Sequence, residues 1–119
     1  MRRHDWDSVP ESEMPALAGR VTRRFVGGER MTVGRVAFTE GAAIEPHRHD
    51  NEQFTTVLSG VLEFTVEGRT VVLREGETLF LASNELHGAR ALTAAVVLDV
   101  FAPPRADWGP PAAPGGDPT

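Results

Sequence analysis

Several absences narrow the function of this chain. The 119-residue sequence has no cysteine, which excludes a disulfide framework and a thiolate metal site. It has no lysine, and its twelve arginines are scattered, which argues against a nucleic-acid-binding surface. No apolar run approaches the length of a membrane span, and Arg2 and Arg3 precede acidic residues instead of the apolar core of a signal peptide. With a net charge of −5, the sequence predicts a soluble, cytoplasmic protein that binds neither nucleic acid nor membrane.

Between residues 21 and 101, short β-rich runs alternate with turn signals such as Ser59-Gly60 and Glu67-Gly68. The predicted strands are residues 21–25, 31–38, 53–58, 61–66, 70–73, 78–81, 86–90 and 95–101. Their spacing of about ten residues, without a helical period or an internal repeat, indicates an all-β sandwich or barrel. The length is that of about one domain.

Composition divides the chain into three regions. Residues 1–20 are polar and interrupted by prolines, and we expect an N-terminal arm with Trp6 and Val9 as its anchors. Residues 21–105 form the barrel. Residues 106–119 are expected to be a flexible tail rich in proline and glycine, ordered only as far as Trp108.

Three histidines and a glutamine suggest a metal site. His47 and His49 are two residues apart, and on a strand such residues point to the same face, so both would face the interior with Arg48 outside. Gln53 follows closely, and His87 stands alone downstream. Three imidazoles and an amide oxygen suit a divalent ion such as Zn, Ni, Fe or Mn, with coordination positions left for substrate or water.

The fourth ligand has an alternative. Glu52 would replace Gln53 if the strand adopted the other register, and Phe54 would then change face as well. A neutral Gln53 leaves the full charge of the dication at the site, which strengthens Lewis-acid chemistry and gives less support to oxygen activation. The residues therefore favour redox-neutral chemistry.

The segment from residue 41 to residue 60 resembles the first sequence motif of the cupin family. The matching positions are Gly41, His47, His49, Gln53 and Gly60, with Gln53 where most cupins have Glu. Gly76 and His87 match the second motif more loosely. The resemblance spans roughly residues 20–105 and implies the cupin double-stranded β-helix, a jelly-roll barrel. It also implies a homodimer, because small cupins usually pair through their sheets or exchange N-terminal strands.

Asp99 lies in the middle of the last apolar strand, where alternation places it on the same face as Val97 and Phe101. A buried acid is costly unless it is paired, hydrogen-bonded or functional. One interpretation is a structural aspartate that pairs with an arginine or faces solvent. In a cupin barrel, however, the last strand runs beside the metal pocket, where Asp99 would be a candidate general acid/base. Arg105 could bind a substrate carboxylate or be a solvated surface residue.

The stretches NEQFTTVLSGVLEFTVEG and VVLDVFAPPRADW are similar to the small single-domain cupins of the pectin-degradation (KdgF-like) family. That family opens the ring of 4,5-unsaturated uronates. The resemblance implies metal binding by His47, His49, Gln53 and His87. It places Asp99, Phe101 and Arg105 at catalytic or substrate-contacting positions.

The leading hypothesis is a metal-dependent enzyme, an isomerase or lyase, that acts on a small hydroxy-carbonyl or unsaturated uronate. The alternatives are a cyclase or tailoring enzyme of polyketide or other secondary metabolism, a metal-dependent dioxygenase, and a non-catalytic cupin that binds a small ligand. The pocket lining discriminates between the first two. A lining of Phe54, Phe64, Phe80 and Phe101 would favour a polyaromatic ligand, whereas several Arg and Asn side chains would favour a uronate.

Overall fold

The structure, a computed structural model, describes residues 1–111. It contains two short 3-10 helices, Trp6–Ser8 and Ala106–Trp108, and no helix of the described chain is long and apolar enough to cross a membrane. The strands are β1 (Ser12–Met14), β2 (Val21–Gly27), β3 (Thr32–Phe38), β4 (Ala43–His47), β5 (Glu52–Ser59), β6 (Val61–Val66), β7 (Arg69–Arg74), β8 (Thr78–Leu81), β9 (His87–Ala91) and β10 (Ala95–Ala102).

The strands form two antiparallel sheets. One has the order β1-β2-β3-β10-β5-β8 and the other the order β4-β9-β6-β7. Buried and partly exposed residues alternate along β3 and β10, as expected for strands with one face on a core. The core contains side chains of both sheets, among them Val36, Val57, Leu62, Phe64 and Val97. The predicted all-β jelly-roll fold is confirmed.

Each of the eight predicted strands overlaps an observed strand, but β1 and β4 were not predicted. Strand β4 ends at His47, so the expectation that His47 and His49 share a strand is wrong. Pro46 and the polar residues around it hid this strand from the alternation pattern. His49 lies in the irregular segment beyond β4, and the conformation of that segment sets the direction of its side chain.

Both ends of the described chain pack on the barrel. Strand β1 pairs with β2, and the Arg24 guanidinium donates to the carbonyl oxygens of Trp6, Asp7 and Val9. At the other end, Trp108 is buried against Gly34 of β3, where an added Cβ would lie 2.7 Å from the indole ring. Residues 112–119 of the predicted flexible tail lie outside the described residues. The division into arm, barrel and tail stays a prediction.

An apolar row crosses the outer face of the six-stranded sheet. Adjacent strands pair Phe80 with Phe54, Phe54 with Val100, Val100 with Val33, and Val33 with Val26. Phe54 is 49% exposed and Phe80 is 46% exposed. A homodimer that paired through this sheet would bury the row, but the dimer itself stays a prediction.

Candidate metal centre

Three imidazoles converge at one end of the barrel. His47 at the end of β4 is paired with His87 at the start of β9, and His49 approaches from the segment after β4. One ring nitrogen from each residue lies within 4.8 Å of the other two. Arg48 is exposed, as predicted. The sequence therefore identified a real cluster, although it misplaced the backbone that carries His49.

Close packing of β4 and β9 helps to bring two of these rings together. Gly88, next to His87, approaches the backbone of β4 so closely that an added Cβ would lie 2.9 Å from the Ile44 carbonyl oxygen and 3.0 Å from the Pro46 nitrogen. A larger residue would force the strands apart. Glycine at this position therefore favours the pairing of His47 with His87.

The backbone fixes the tautomer of all three rings. Each Nδ1 lies against a backbone carbonyl oxygen, which only accepts hydrogen bonds, so Nδ1 carries the proton and Nε2 keeps a lone pair. The acceptors for His47, His49 and His87 are the carbonyl oxygens of Glu45, Asn51 and Glu85, at 3.0, 3.0 and 2.8 Å. Metal-binding histidines commonly have this outer hydrogen bond.

Burial also keeps two of the rings neutral. It lowers the pKa of His87 to about 4 and holds the pKa of His49 below its usual value. The positive charge of Arg105 lowers the pKa of His49 further. A neutral imidazole offers a lone pair to a cation. The geometry and the charge state of the cluster therefore both suit metal binding.

Gln53 supplies the clearest test of whether a cation fits here. Its Oε1 lies 3.1 Å from Nε2 of His49. With Nδ1 of His49 protonated, both of these atoms are acceptors, and two acceptors at this distance would be stabilised by a cation that contacts both. The donor set therefore fits a divalent metal ion, whose identity it does not select. Glu52, the alternative ligand, is exposed, whereas Gln53 is buried; the role of Gln53 as a ligand stays a prediction.

Asp99 is buried beside this centre. It points inward from β10, is 7% exposed, and accepts a hydrogen bond of 2.6 Å on Oδ1 from Thr55. Burial raises the pKa of Asp99 to about 6, and the hydrogen bond from Thr55 opposes that rise. A carboxyl group with a pKa near neutrality can both accept and release a proton, which suits a general acid/base.

Arg105 and Phe101 form one wall of the cavity. Arg105 is 8% exposed, so it is not a solvated surface residue. Its Nε and Nη2 donate to the Asp107 carboxylate at 2.9 and 2.8 Å, and this contact lowers the pKa of Asp107. The guanidinium carbon lies 4.7 Å from the ring centre of Phe101 and 4.9 Å from that of Trp108. Asp107 and the two rings hold Arg105 in a fixed orientation.

The cavity has a polar end and an apolar body. His47, Gln53, His87, Asp99 and Arg105 line it together with apolar side chains of both sheets. Phe64 and Phe101 belong to the lining, but Phe54 and Phe80 lie on the outer face. Of the four phenylalanines that would favour a polyaromatic ligand, two line the cavity. Of the several Arg and Asn side chains that would favour a uronate, the lining contains Arg105 among the described residues.

Among the cavity residues that sequence reasoning did not identify are Thr55, Met14 and Trp108. Thr55 could have been found, because it is two residues after Gln53 on a predicted strand and shares its face. Met14 and Trp108 belong to the chain ends, where no alternation pattern showed that they reach the barrel. Neither could have been placed in the cavity from the sequence.

Residues 34–101 match the family model described as Cupin domain. The chain belongs to the cupin family. It is 32% identical to the pectin degradation protein KdgF of Dickeya dadantii (strain 3937), over 91% of this cupin and 99% of that protein. The solved structure of KdgF from Halomonas sp. is similar with a TM-score of 0.73 and 29% identity, covering 82% of this cupin and 90% of that chain.

A further similar structure is the polyketide cyclase RemF from Streptomyces resistomycificus, with a TM-score of 0.73. Its identity to this cupin is 24%, and the match covers 87% of this cupin and 79% of that chain. At this identity the likeness shows the fold alone.

Proposed function

We propose that this cupin is a metal-dependent enzyme that opens the ring of a 4,5-unsaturated uronate without net oxidation or reduction. The observation that carries the proposal is the position of Asp99, a buried acid connected through Thr55 and Gln53 to the imidazole cluster. The similarity to KdgF over most of both chains supports the substrate class.

The reaction requires a proton to move from oxygen to carbon. When the anomeric hydroxyl loses its proton, the bond between the anomeric carbon and the ring oxygen breaks. This gives an aldehyde and an enolate, and the enolate takes a proton at the former alkene carbon to become a ketone. No atom is gained or lost overall. Asp99 can accept the first proton and return it to carbon, and such acid/base steps contribute about 10²- to 10⁴-fold in rate.

The chain's own residues divide the remaining work. His47, His49, Gln53 and His87 would hold the metal ion, which supplies Lewis-acid stabilisation of charge that develops on oxygen. Arg105 orients the uronate carboxylate with the guanidinium hydrogens that Asp107 does not engage. Phe101 and Trp108 keep water away from that ion pair, which strengthens it.

Turnover of an unsaturated uronate by metal-loaded protein, with oxygen excluded, tests the proposal. We expect loss of the ultraviolet absorbance of the ring alkene, and we expect a chelator to stop that loss. Dependence on oxygen would contradict the redox-neutral reaction. Bound metal without turnover would contradict the uronate and favour the second candidate.

That second candidate is a cyclase that acts on an aromatic metabolite at the same centre. The observation in its favour is the apolar body of the cavity, with Phe64, Phe101 and Trp108 in its lining. Aromatic ligands gain from contact with aromatic side chains. Binding of a flat polyphenol with quenching of Trp108 fluorescence, and no response to a uronate, would support the cyclase over the uronate enzyme.

Replacing Arg105 should distinguish a role in substrate binding from a role in the chemical step. We expect Arg105→Gln to raise KM for a uronate about tenfold or more, because a charge-assisted hydrogen bond contributes about 1.5–3 kcal/mol. The matched control is Arg90→Gln, since Arg90 forms an exposed ion pair with Glu63 away from the centre. Steady-state kinetics of both variants give the comparison, and an unchanged KM in Arg105→Gln would remove Arg105 from substrate binding.

A further inference from the structure

Thr55 lies between the candidate metal centre and the candidate acid/base. It is 1% exposed on β5, directly across from Asp99 on β10. Its Oγ1 is 2.7 Å from Nε2 of Gln53 and 2.6 Å from Oδ1 of Asp99. One hydroxyl group therefore connects the two functional side chains.

The number of available protons sets the direction of these hydrogen bonds. An ionised Asp99 can only accept, so Thr55 donates its single hydroxyl proton to it. The Thr55 oxygen is then an acceptor toward Gln53, whose amide nitrogen must face it. The amide oxygen is thereby left facing Nε2 of His49, at 3.1 Å.

We propose that Thr55 is a positioning residue that fixes the orientation of the Gln53 amide and so presents Oε1, and not Nε2, to the metal centre. The inference rests on the metal-dependent part of the proposed function and on no particular substrate. Thr55 touches neither substrate nor metal in this role and acts through Gln53 and Asp99.

The same count of available protons favours an amide over a carboxylate at position 53 when Asp99 is ionised. In Gln53→Glu, Thr55 would face two carboxylates with one proton, and one of them would be left without a donor. In the double variant Gln53→Glu with Asp99→Asn, the new asparagine can donate to Thr55, and Thr55 can donate to the new glutamate. The two hydrogen bonds of Thr55 then run in the opposite direction, and each of the three side chains has a hydrogen-bond partner.

The first test uses the fact that Gln53 is the only glutamine in the sequence. Labelling with ¹⁵N-glutamine therefore gives a single side-chain amide signal in an NMR spectrum. In metal-free wild-type protein we expect one of its two protons to be shifted downfield and protected from exchange by the bond to Thr55. Thr55→Val should lose both properties and Thr55→Ser should restore them. An amide signal that is the same in Thr55→Val would overturn the proposal.

The matched control is Thr56→Val. Thr56 is the next residue of β5, points to the opposite face, and bonds to Thr78, so its loss should leave the Gln53 signal unchanged. Circular dichroism melting of each variant separates a lost hydrogen bond from a lost fold. The wild-type signal alone also tests the proposal, because an unshifted and unprotected amide would contradict it without any variant.

The second test measures zinc affinity by competition with a chelator. Outer partners of metal ligands typically contribute about 10- to 100-fold in affinity, so we expect a loss of that size in Thr55→Val and near wild-type affinity in Thr55→Ser. The double variant Gln53→Glu with Asp99→Asn should bind zinc more tightly than the summed free-energy changes of the two single variants predict. In a Thr55→Val background this excess affinity should disappear. Additive effects would overturn the proposed direction of the network.

The metal-dependent function and the positioning role of Thr55 are contradicted by different results. A wild-type protein that binds no zinc would contradict the metal-dependent function, while the metal-free amide signal would still decide whether Thr55 orients Gln53. A protein that binds zinc but turns over no uronate would leave both tests of Thr55 intact.

Discussion

Replacing His49 with alanine is expected to abolish metal binding and turnover together while the barrel stays folded. The change removes one of three converging imidazoles and leaves Oε1 of Gln53 without its neighbour. We expect zinc affinity to fall by at least about 100-fold, the upper end of what outer partners of a ligand contribute. Metal content of the purified variant and its far-ultraviolet circular dichroism are the two measurements.

The fold should survive because His49 lies in the segment beyond β4, outside the strands and the apolar core. His4→Ala is the matched control, since His4 is the one histidine of the sequence that is absent from the cluster. It should keep metal and activity. Full metal content in His49→Ala would show that the three imidazoles do not act as one site.

The second large effect is expected for Asp99→Asn, which should retain metal but slow turnover by about 100-fold or more. Asparagine is nearly isosteric and can still accept the hydrogen bond from Thr55, so the cavity keeps its shape. The asparagine side chain, however, cannot take a proton from the substrate and return it. Full turnover in this variant would remove Asp99 from the mechanism.

The same variant should change the pH dependence of stability in metal-free protein. Because burial raises the pKa of Asp99 to about 6, the folded state holds the proton more tightly than the unfolded state does. This contribution to stability is present below about pH 4 and is lost as the pH rises through about 6. A shift from 3.8 to about 6 corresponds to roughly 3 kcal/mol.

Denaturant unfolding of the chelated protein at about pH 5 and about pH 8 measures about half of this difference, because the other half is already lost at about pH 5. Wild-type protein should lose stability between the two conditions, and Asp99→Asn should lose less. An identical loss in both proteins would mean that Asp99 does not titrate in this range.

The sequence predicted the barrel and the members of the histidine cluster because both depend on spacing. Alternation marks strands with one face on a core, and the positions of His47, His49, Gln53 and His87 follow a family motif. Arg105 was harder to place, since its burial depends on Asp107 and on two aromatic rings. Its burial also requires the segment after β10 to lie against Thr32 and Gly34 of β3, and such contacts between distant segments leave no local pattern.

The hydrogen-bond network of Gln53, Thr55 and Asp99 was also beyond the sequence. Alternation places Thr55 and Asp99 on inward faces, but it does not give the register between β5 and β10 that makes them direct partners. Without that register, an inward threonine is indistinguishable from an ordinary core residue. The orientation of the Gln53 amide follows only once the partner of Thr55 is known.

Segments from outside the matched family region contribute to the lining of the cavity. Met14 precedes residues 34–101, and Arg105 and Trp108 follow them, yet all of these side chains line the cavity. A change in either flanking segment would therefore alter the cavity while leaving the histidine cluster intact. The part of the chain that identifies the family therefore omits three of the side chains that give the cavity its shape.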